Sequence, residues 1–258
     1  MKISVITVCL NHPNLYKTIN SVLNQTYKDV EYWVIDGNST NDVTLNAIDQ
    51  FRNSDCLHIV SETDKGIYDA MNKGINLSSG DYLIFLNAGD AFYCNESLET
   101  LFTGANGEDI IYGDLEVITK IPYVKRYPEK LSFGFFLRES LPHPATLIKR
   151  ELFIKFGLYS TDMLIAADWA FFLKATCLQN VSYKYVPNVI SSFETDGISS
   201  NPFNQESINL EKLSFLRDNF SAFYYEYMEL MMLKDQFQQL KNSRLRKYLS
   251  YVFKQLKA

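Results

Sequence analysis

Hydrophobic and polar positions along the first 86 residues switch repeatedly between two periods. Lys2 to Leu10 is a nearly unbroken β-branched and apolar run, which predicts a strand covered on both faces of a parallel sheet. Past Asn11-His12-Pro13-Asn14, with Pro13 suited to a first helical turn, Leu15, Ile19, Val22 and Leu23 recur at helical spacing. Glu31 to Ile35 predicts a second strand and Val43 to Phe51 a second helix, followed by a third strand over Leu57 to Val60. Gly66 to Leu77 then predicts a helix, Ser78-Ser79-Gly80 a turn and Tyr82 to Leu86 a fourth strand. Strands alternating with helices in this way predict an α/β fold with a Rossmann-like, mostly parallel sheet.

The alternation loosens after Asp90. Asp109 to Thr119 predicts a strand interrupted at Gly113-Asp114, Pro122 to Pro128 a loop, Ala145 to Lys149 a short strand and Glu151 to Phe156 a short helix stopped by Gly157. Met163 to Leu178 is apolar almost throughout and holds one carboxylate, Asp168. Val181 to Pro187 predicts another strand, and the Gly- and Ser-bearing Ile190 to Asn201 a loop. From Gln205 onward the spacing is helical. The expected organisation is a domain over 1–200, built of halves 1–90 and 91–200, with a helical extension over 201–258.

Composition changes this picture in two places. The net charge of -5 is uneven: residues 241–258 carry six basic and no acidic side chains, leaving about -11 on the residues before them by subtraction. Cys9, Cys56, Cys94 and Cys177 are scattered without CxxC spacing, and MKISVITV opens as a strand and not as a leader peptide, so free thiols and a cytoplasmic location are expected. No run of about 18 apolar residues is present to span a bilayer, and membrane contact is expected only at the surface.

Asp36, Asp64 and Asp90 follow the second, third and fourth predicted strands, and in a parallel sheet such positions share one edge. Each is also a residue type favoured in turns and helix caps. Taken together, they point to a nucleotide or a divalent cation, since hard cations take carboxylate oxygens and bridge substrate phosphates. The sequence CLNHPN after the first strand lacks the glycines of a dinucleotide fingerprint or a P-loop.

Five segments carry a family resemblance over roughly residues 2–200: ISVITVCLN, VIDGNSTNDVT, SETDKGIYDAMNKGI, LNAGD and AADWAFFLK. With them the chain resembles the family 2 glycosyltransferases, which are inverting, nucleotide-sugar-dependent enzymes of the GT-A fold, here of the bacterial surface-polysaccharide type. The resemblance implies a nucleotide-binding half in 1–90 and an acceptor half in 91–200. It implies that Thr7 and Val8 line the base pocket, that Asp36 and Asp64 bind the nucleoside, and that Lys73 faces the phosphates or the sugar. Asp90 would hold a divalent cation, Mn or Mg. Asn87-Ala88-Gly89-Asp90 has one carboxylate where the family's Asp-x-Asp has two, which implies more coordination from diphosphate and water. Asp168 would be the general base that deprotonates an acceptor hydroxyl; the alternatives are a helix cap or an ion pair. His143 would border the acceptor, or be a loop residue. ETDGIS, Glu194 to Ser199, resembles the loop that closes over the donor diphosphate.

The expected partners are a nucleoside diphosphate sugar and a glycan or lipid-linked acceptor. In residues 241–258 an apolar face opposes a basic one, which suits an anionic membrane surface or packing on the domain or on a second subunit in a homodimer. Nucleic acid is not expected, because the basic charge is too local. Two other functions share the nucleotide half. A sugar-phosphate nucleotidyltransferase needs a Gly-rich, Arg-bearing first loop that CLNHPN does not provide, whereas a non-catalytic nucleotide-sugar binder is consistent with Asn87.

Overall fold

A computed structural model describes the backbone of residues 1–242 and, apart from residues 235 and 238–242, their side chains. The chain divides into two compact units at Ile208 and Asn209. The basic segment from 243 onward lies outside the described residues, and with it nearly all of the predicted amphipathic tail.

In the first unit, β1 (Ile3–Cys9), α1 (Leu15–Leu23), β2 (Val30–Asp36), α2 (Asp42–Phe51), β3 (Leu57–Ser61), α3 (Ile67–Leu77) and β4 (Tyr82–Phe85) follow one another as the periodicity predicts. Every residue of β1 and β4 is buried, which is why their sequences are continuous apolar runs and do not alternate. Helix α2 starts where it does because the Asn41 side chain accepts a hydrogen bond from Thr44 N at 2.7 Å, with Asp42 in the first turn complementing the helix dipole. β1 pairs in parallel with both β2 and β4, and β2 with β3, giving the order β3-β2-β1-β4. The direction of winding therefore reverses between β1 and β4. In open α/β sheets the crevice for ligands lies outside the carboxyl ends of the strands at such a reversal.

The sheet continues with β5 (Ala91–Phe92), α4 (Ser97–Thr103), β6 (Ile110–Ile118), β7 (Tyr123–Lys125), α5 (Phe133–Phe136), β8 (Thr146–Lys149), α6 (Arg150–Phe156), α7 (Ala167–Leu173) and β9 (Tyr183–Glu194). β8 lies antiparallel between β4 and β6, β9 runs parallel to β6, and β7 pairs with β6, so the nine-stranded sheet is mixed on this side. The Gly113-Asp114 interruption is a register shift in the β6–β9 ladder.

Three expectations are corrected. Pro122 to Pro128 is not all loop, because Tyr123–Lys125 pairs antiparallel with β6 as β7. The strand predicted to stop at Pro187 runs on to Glu194: Tyr185 pairs with Tyr112 and Val189 with Asp114, so Pro187 falls inside the bulge, where no ladder N–H is demanded of it. Residues 190–194, expected as loop, thus belong to β9, and Ser97–Thr103 forms a helix that its short apolar spacing did not reveal. Helices α8 (Gln205–Asn219) and α9 (Ser221–Asn242) follow, and no described helix is long and apolar enough to cross a membrane.

Candidate active site

The carboxyl ends of β2 and β3 bring Asp36 and Asp64 together. Asp36 is fully buried, and its carboxylate accepts from Ser39 N at 3.2 Å, from Ser39 Oγ at 2.5 Å and from Ser61 Oγ at 2.5 Å. That ring of donors closes the loop after β2 as an Asx-type turn. Gly37, next in sequence, lets Asp64 approach closely: a Cβ there would stand 3.0 Å from Asp64 Oδ2. Asp64 Oδ1 in turn is 2.5 Å from Lys73 Nζ, and Glu62 lies 2.9 Å from the same ammonium. The hydrogen bonds that Lys73 donates, first to Asp64 and then to Glu62, hold its ammonium well above the ordinary lysine range, so it stays positively charged.

Thr7 and Val8 do not join this group. The Thr7 hydroxyl is fully buried, 2.9 Å from Tyr32 Oη and donating to Leu86 O at 2.6 Å, where it ties β2 to the end of β4 across β1. Val8 is also buried, and its carbonyl accepts from Ala88 N.

Asp90 stands past β4, on the other side of β1. The turn before it depends on Gly89 at φ 102, a region that favours glycine, and a Cβ there would meet His12 Cε1 at 2.7 Å. Asp90 is 4% exposed and accepts from Glu194 N at 3.1 Å. Burial pushes its carboxyl up to about 8, opposed by the Glu194 N–H and the Lys17 charge and reinforced by the Glu194 and Asp196 carboxylates. Lys17 Nζ bridges Glu194 Oε1 at 2.7 Å and Gly89 O at 3.2 Å, while Asn14 Nδ2 donates to Glu194 Oε2 at 2.7 Å. A buried, weakly satisfied carboxylate invites a cation. Asn87 Oδ1, also buried, has no hydrogen-bond partner. Both are oxygen donors of the kind that hard divalent ions take, but among the described residues no group of three or more His, Cys, Asp or Glu side chains forms a ligand set. Such an ion would take most of its ligands from its substrate and from water.

Asp168 lies in the first turn of α7, where every other residue is buried and it alone is half-buried. The helix-cap alternative does not hold, because Ala166 occupies the cap position. Tyr68, from α3, donates to Asp168 Oδ1 at 2.9 Å and to Ile165 O at 2.6 Å. His143 sits deeper, in a 3-10 turn, stacked on Phe85 at 4.5 Å and 2.8 Å from Tyr159 Oη through Nε2. Burial pulls the His143 imidazole down to about 4 although the Asp168 charge opposes this.

This burial gives a pH prediction. A histidine held below its unfolded value of about 6.5 adds full stability above that pH and loses it as pH falls toward the folded value. Asp90, held high, acts in the opposite sense over the same range, so the comparison must be between variants. The stability advantage of the wild type over His143→Gln is expected to shrink by about 2 kcal/mol between pH 7 and pH 5 in urea unfolding. A constant difference would show that the ring is not buried neutral.

Asp36, Asp64 and Lys73 are thus assembled on one side of β1 and Asp90 on the other, while Asp168 is tied by Tyr68 to α3, the helix that carries Lys73. Sequence reasoning missed Tyr68, Lys17 and the structural part played by Glu194. For Tyr68 a signal existed: Tyr68 and Asn72 share one face of α3, and Asn72 Oδ1 accepts from Tyr159 N at 3.0 Å as its Nδ2 donates to Tyr159 O at 2.9 Å.

Known proteins resemble this chain in sequence and in fold. The family model described as "Glycosyl transferase family 2" matches residues 4–165. A PGL/p-HBAD biosynthesis glycosyltransferase of Mycobacterium bovis is 31% identical over 190 residues, covering 71% of this chain and 72% of the relative. A Mycobacterium tuberculosis glycosyltransferase is 34% identical over 212 residues, 77% of each chain. Among solved structures, S. aureus TarS 1-349 in complex with UDP-GlcNAc has a TM-score of 0.62 at 17% identity, over 76% of this chain and 59% of that one, so the present chain spans about three fifths of it. The mannosyltransferase PcManGT from Pyrobaculum calidifontis, in complex with GDP-Man and Mn2+, has a TM-score of 0.61 at 17% identity, over 85% of this chain and 64% of that one. These likenesses show the GT-A fold, and the chain belongs to glycosyltransferase family 2.

Proposed function

We propose that this protein transfers a sugar from a nucleoside diphosphate sugar to a hydroxyl of a glycan or lipid-linked acceptor, with inversion at the anomeric carbon. The observation that carries this reading is the half-buried Asp168 carboxylate, held by a phenol from the same helix that presents Lys73. Asp64 and the Gly37 loop would receive the nucleoside, and Lys73 would neutralise charge on the donor. Asp90 and Asn87 Oδ1 would hold a divalent cation, which when bound offsets negative charge on the departing diphosphate. Asp168 takes the proton of the acceptor hydroxyl as its oxygen bonds to the anomeric carbon. The bond from that carbon to the diphosphate breaks on the opposite face and its electron pair leaves with the diphosphate, which inverts the centre. The PcManGT complex holds a nucleotide sugar and Mn2+, and the TarS complex a nucleotide sugar, which supports the donor class.

A peripheral place on the inner face of the cytoplasmic membrane is part of the same proposal. It rests on the basic residues of 241–258 and on Tyr225, Leu230, Met232 and Leu233, which are exposed on α9.

A panel of nucleoside diphosphate sugars, scored by thermal shift with and without Mn2+, tests the donor assignment. One donor is expected to raise the melting temperature, by more with the ion present, because a ligand that binds only the native state adds to its stability. No shift with any donor would overturn the assignment.

A further inference from the structure

We propose that Tyr68 is the positioning residue of the general base: its hydroxyl engages Asp168 Oδ1 and leaves Oδ2 for the proton of the acceptor. This inference rests on the assignment of Asp168 as base.

Two observations carry it. Tyr68 is 5% exposed and reaches from α3 in the donor half across to α7, donating to Asp168 Oδ1 at 2.9 Å and to Ile165 O at 2.6 Å. Ala166, at the cap position of α7, provides no side-chain cap, so a phenol from another helix fastens both the carbonyl before the helix and the carboxylate of its first turn. A phenol has one hydrogen, and Ile165 O can only accept. The hydrogen is therefore shared between two acceptors, which fixes the carboxylate without protonating it.

The same helix gives the contact a second consequence. Lys73, five residues further along α3, is bound to Asp64, and Asn72 exchanges hydrogen bonds with the Tyr159 backbone. The donor charge and the base are thus set by one rigid element, and misplacement of a reacting group by about 1 Å can lower a rate about a hundredfold. In the transfer step Oδ2 gains the acceptor's proton, the acceptor oxygen gains the anomeric carbon, and the diphosphate leaves with the electron pair of the broken bond. Tyr68 neither gains nor loses a proton.

Tyr68→Phe keeps the ring against Tyr159, whose centroid is 5.5 Å away, and removes only the hydroxyl. With a donor identified by the thermal-shift panel, kcat is expected to fall between about tenfold and a hundredfold, with the KM for donor and its thermal shift within about twofold of wild type. In an Asp168→Asn background the same change is expected to lower the residual rate no further. That comparison also cancels any loss of folded protein, which would be common to both backgrounds. Wild-type kcat in Tyr68→Phe beside an inactive Asp168→Asn would overturn the role of Tyr68 alone. An equal loss in both backgrounds would reduce Tyr68 to a structural residue and overturn it as well. Full turnover by Asp168→Asn would overturn the base assignment and this inference with it.

Discussion

Asp168→Asn is expected to lower turnover by about a thousandfold while donor binding survives, the usual range for removing a general base. Asparagine is isosteric with aspartate and still accepts from Tyr68, so α7 has no reason to move. It cannot take a proton from an acceptor hydroxyl. Thermal shift with the donor should match that of the wild type, which separates loss of chemistry from loss of the site. The surroundings of Asp168 make this effect large: α7 is otherwise buried, with Trp169 Nε1 donating to Phe136 O at 2.6 Å, so this turn of core helix holds a single ionisable group, itself half-buried. A turnover close to wild type would remove Asp168 from the mechanism.

Asp90→Asn is expected to abolish the added donor stabilisation that Mn2+ provides and to lower turnover by about a hundredfold or more, since Lewis-acid stabilisation of a leaving group is worth several kcal/mol. The same variant is expected to melt higher than the wild type when no cation is present. Asp90 is 4% exposed and its protein hydrogen bond comes from Glu194 N, so the carboxylate is costly to bury alone. An amide would keep a polar group at that amide hydrogen without the charge. Opposite signs for stability and activity would mark Asp90 as a residue kept for function. Retained Mn2+ dependence in the variant would place the ion elsewhere.

What the sequence showed and what it hid divide along a physical line. β1 to β4 and the helices between them are legible because each is set by a local pattern, and a strand buried on both faces has no choice but to be apolar. Asp168 stood out for a related reason, as the one carboxylate in an apolar run. The extent of β9 was not: Pro187 ends a strand by local rules, and only pairing with β6 across a bulge carries the chain on to Glu194. The surroundings of Asp36 were hidden in the same way, since Ser39 is near in sequence but Ser61 belongs to another strand.

By itself, then, the sequence determined an α/β chain with a parallel first half, carboxylates at its strand ends and the motifs of its family, all of which follow from side-chain period and residue type. Tertiary structure alone decided that Asp36 is closed in by serines, that Asp64 meets Lys73 beside Gly37, that Asp90 is latched to Glu194, and that Tyr68 holds Asp168. Each of these except the Asp64–Lys73 pair joins residues at least 25 positions apart or needs a donor that is. Periodicity reports which face of an element is buried, and the partner met on that face is set only when the elements pack.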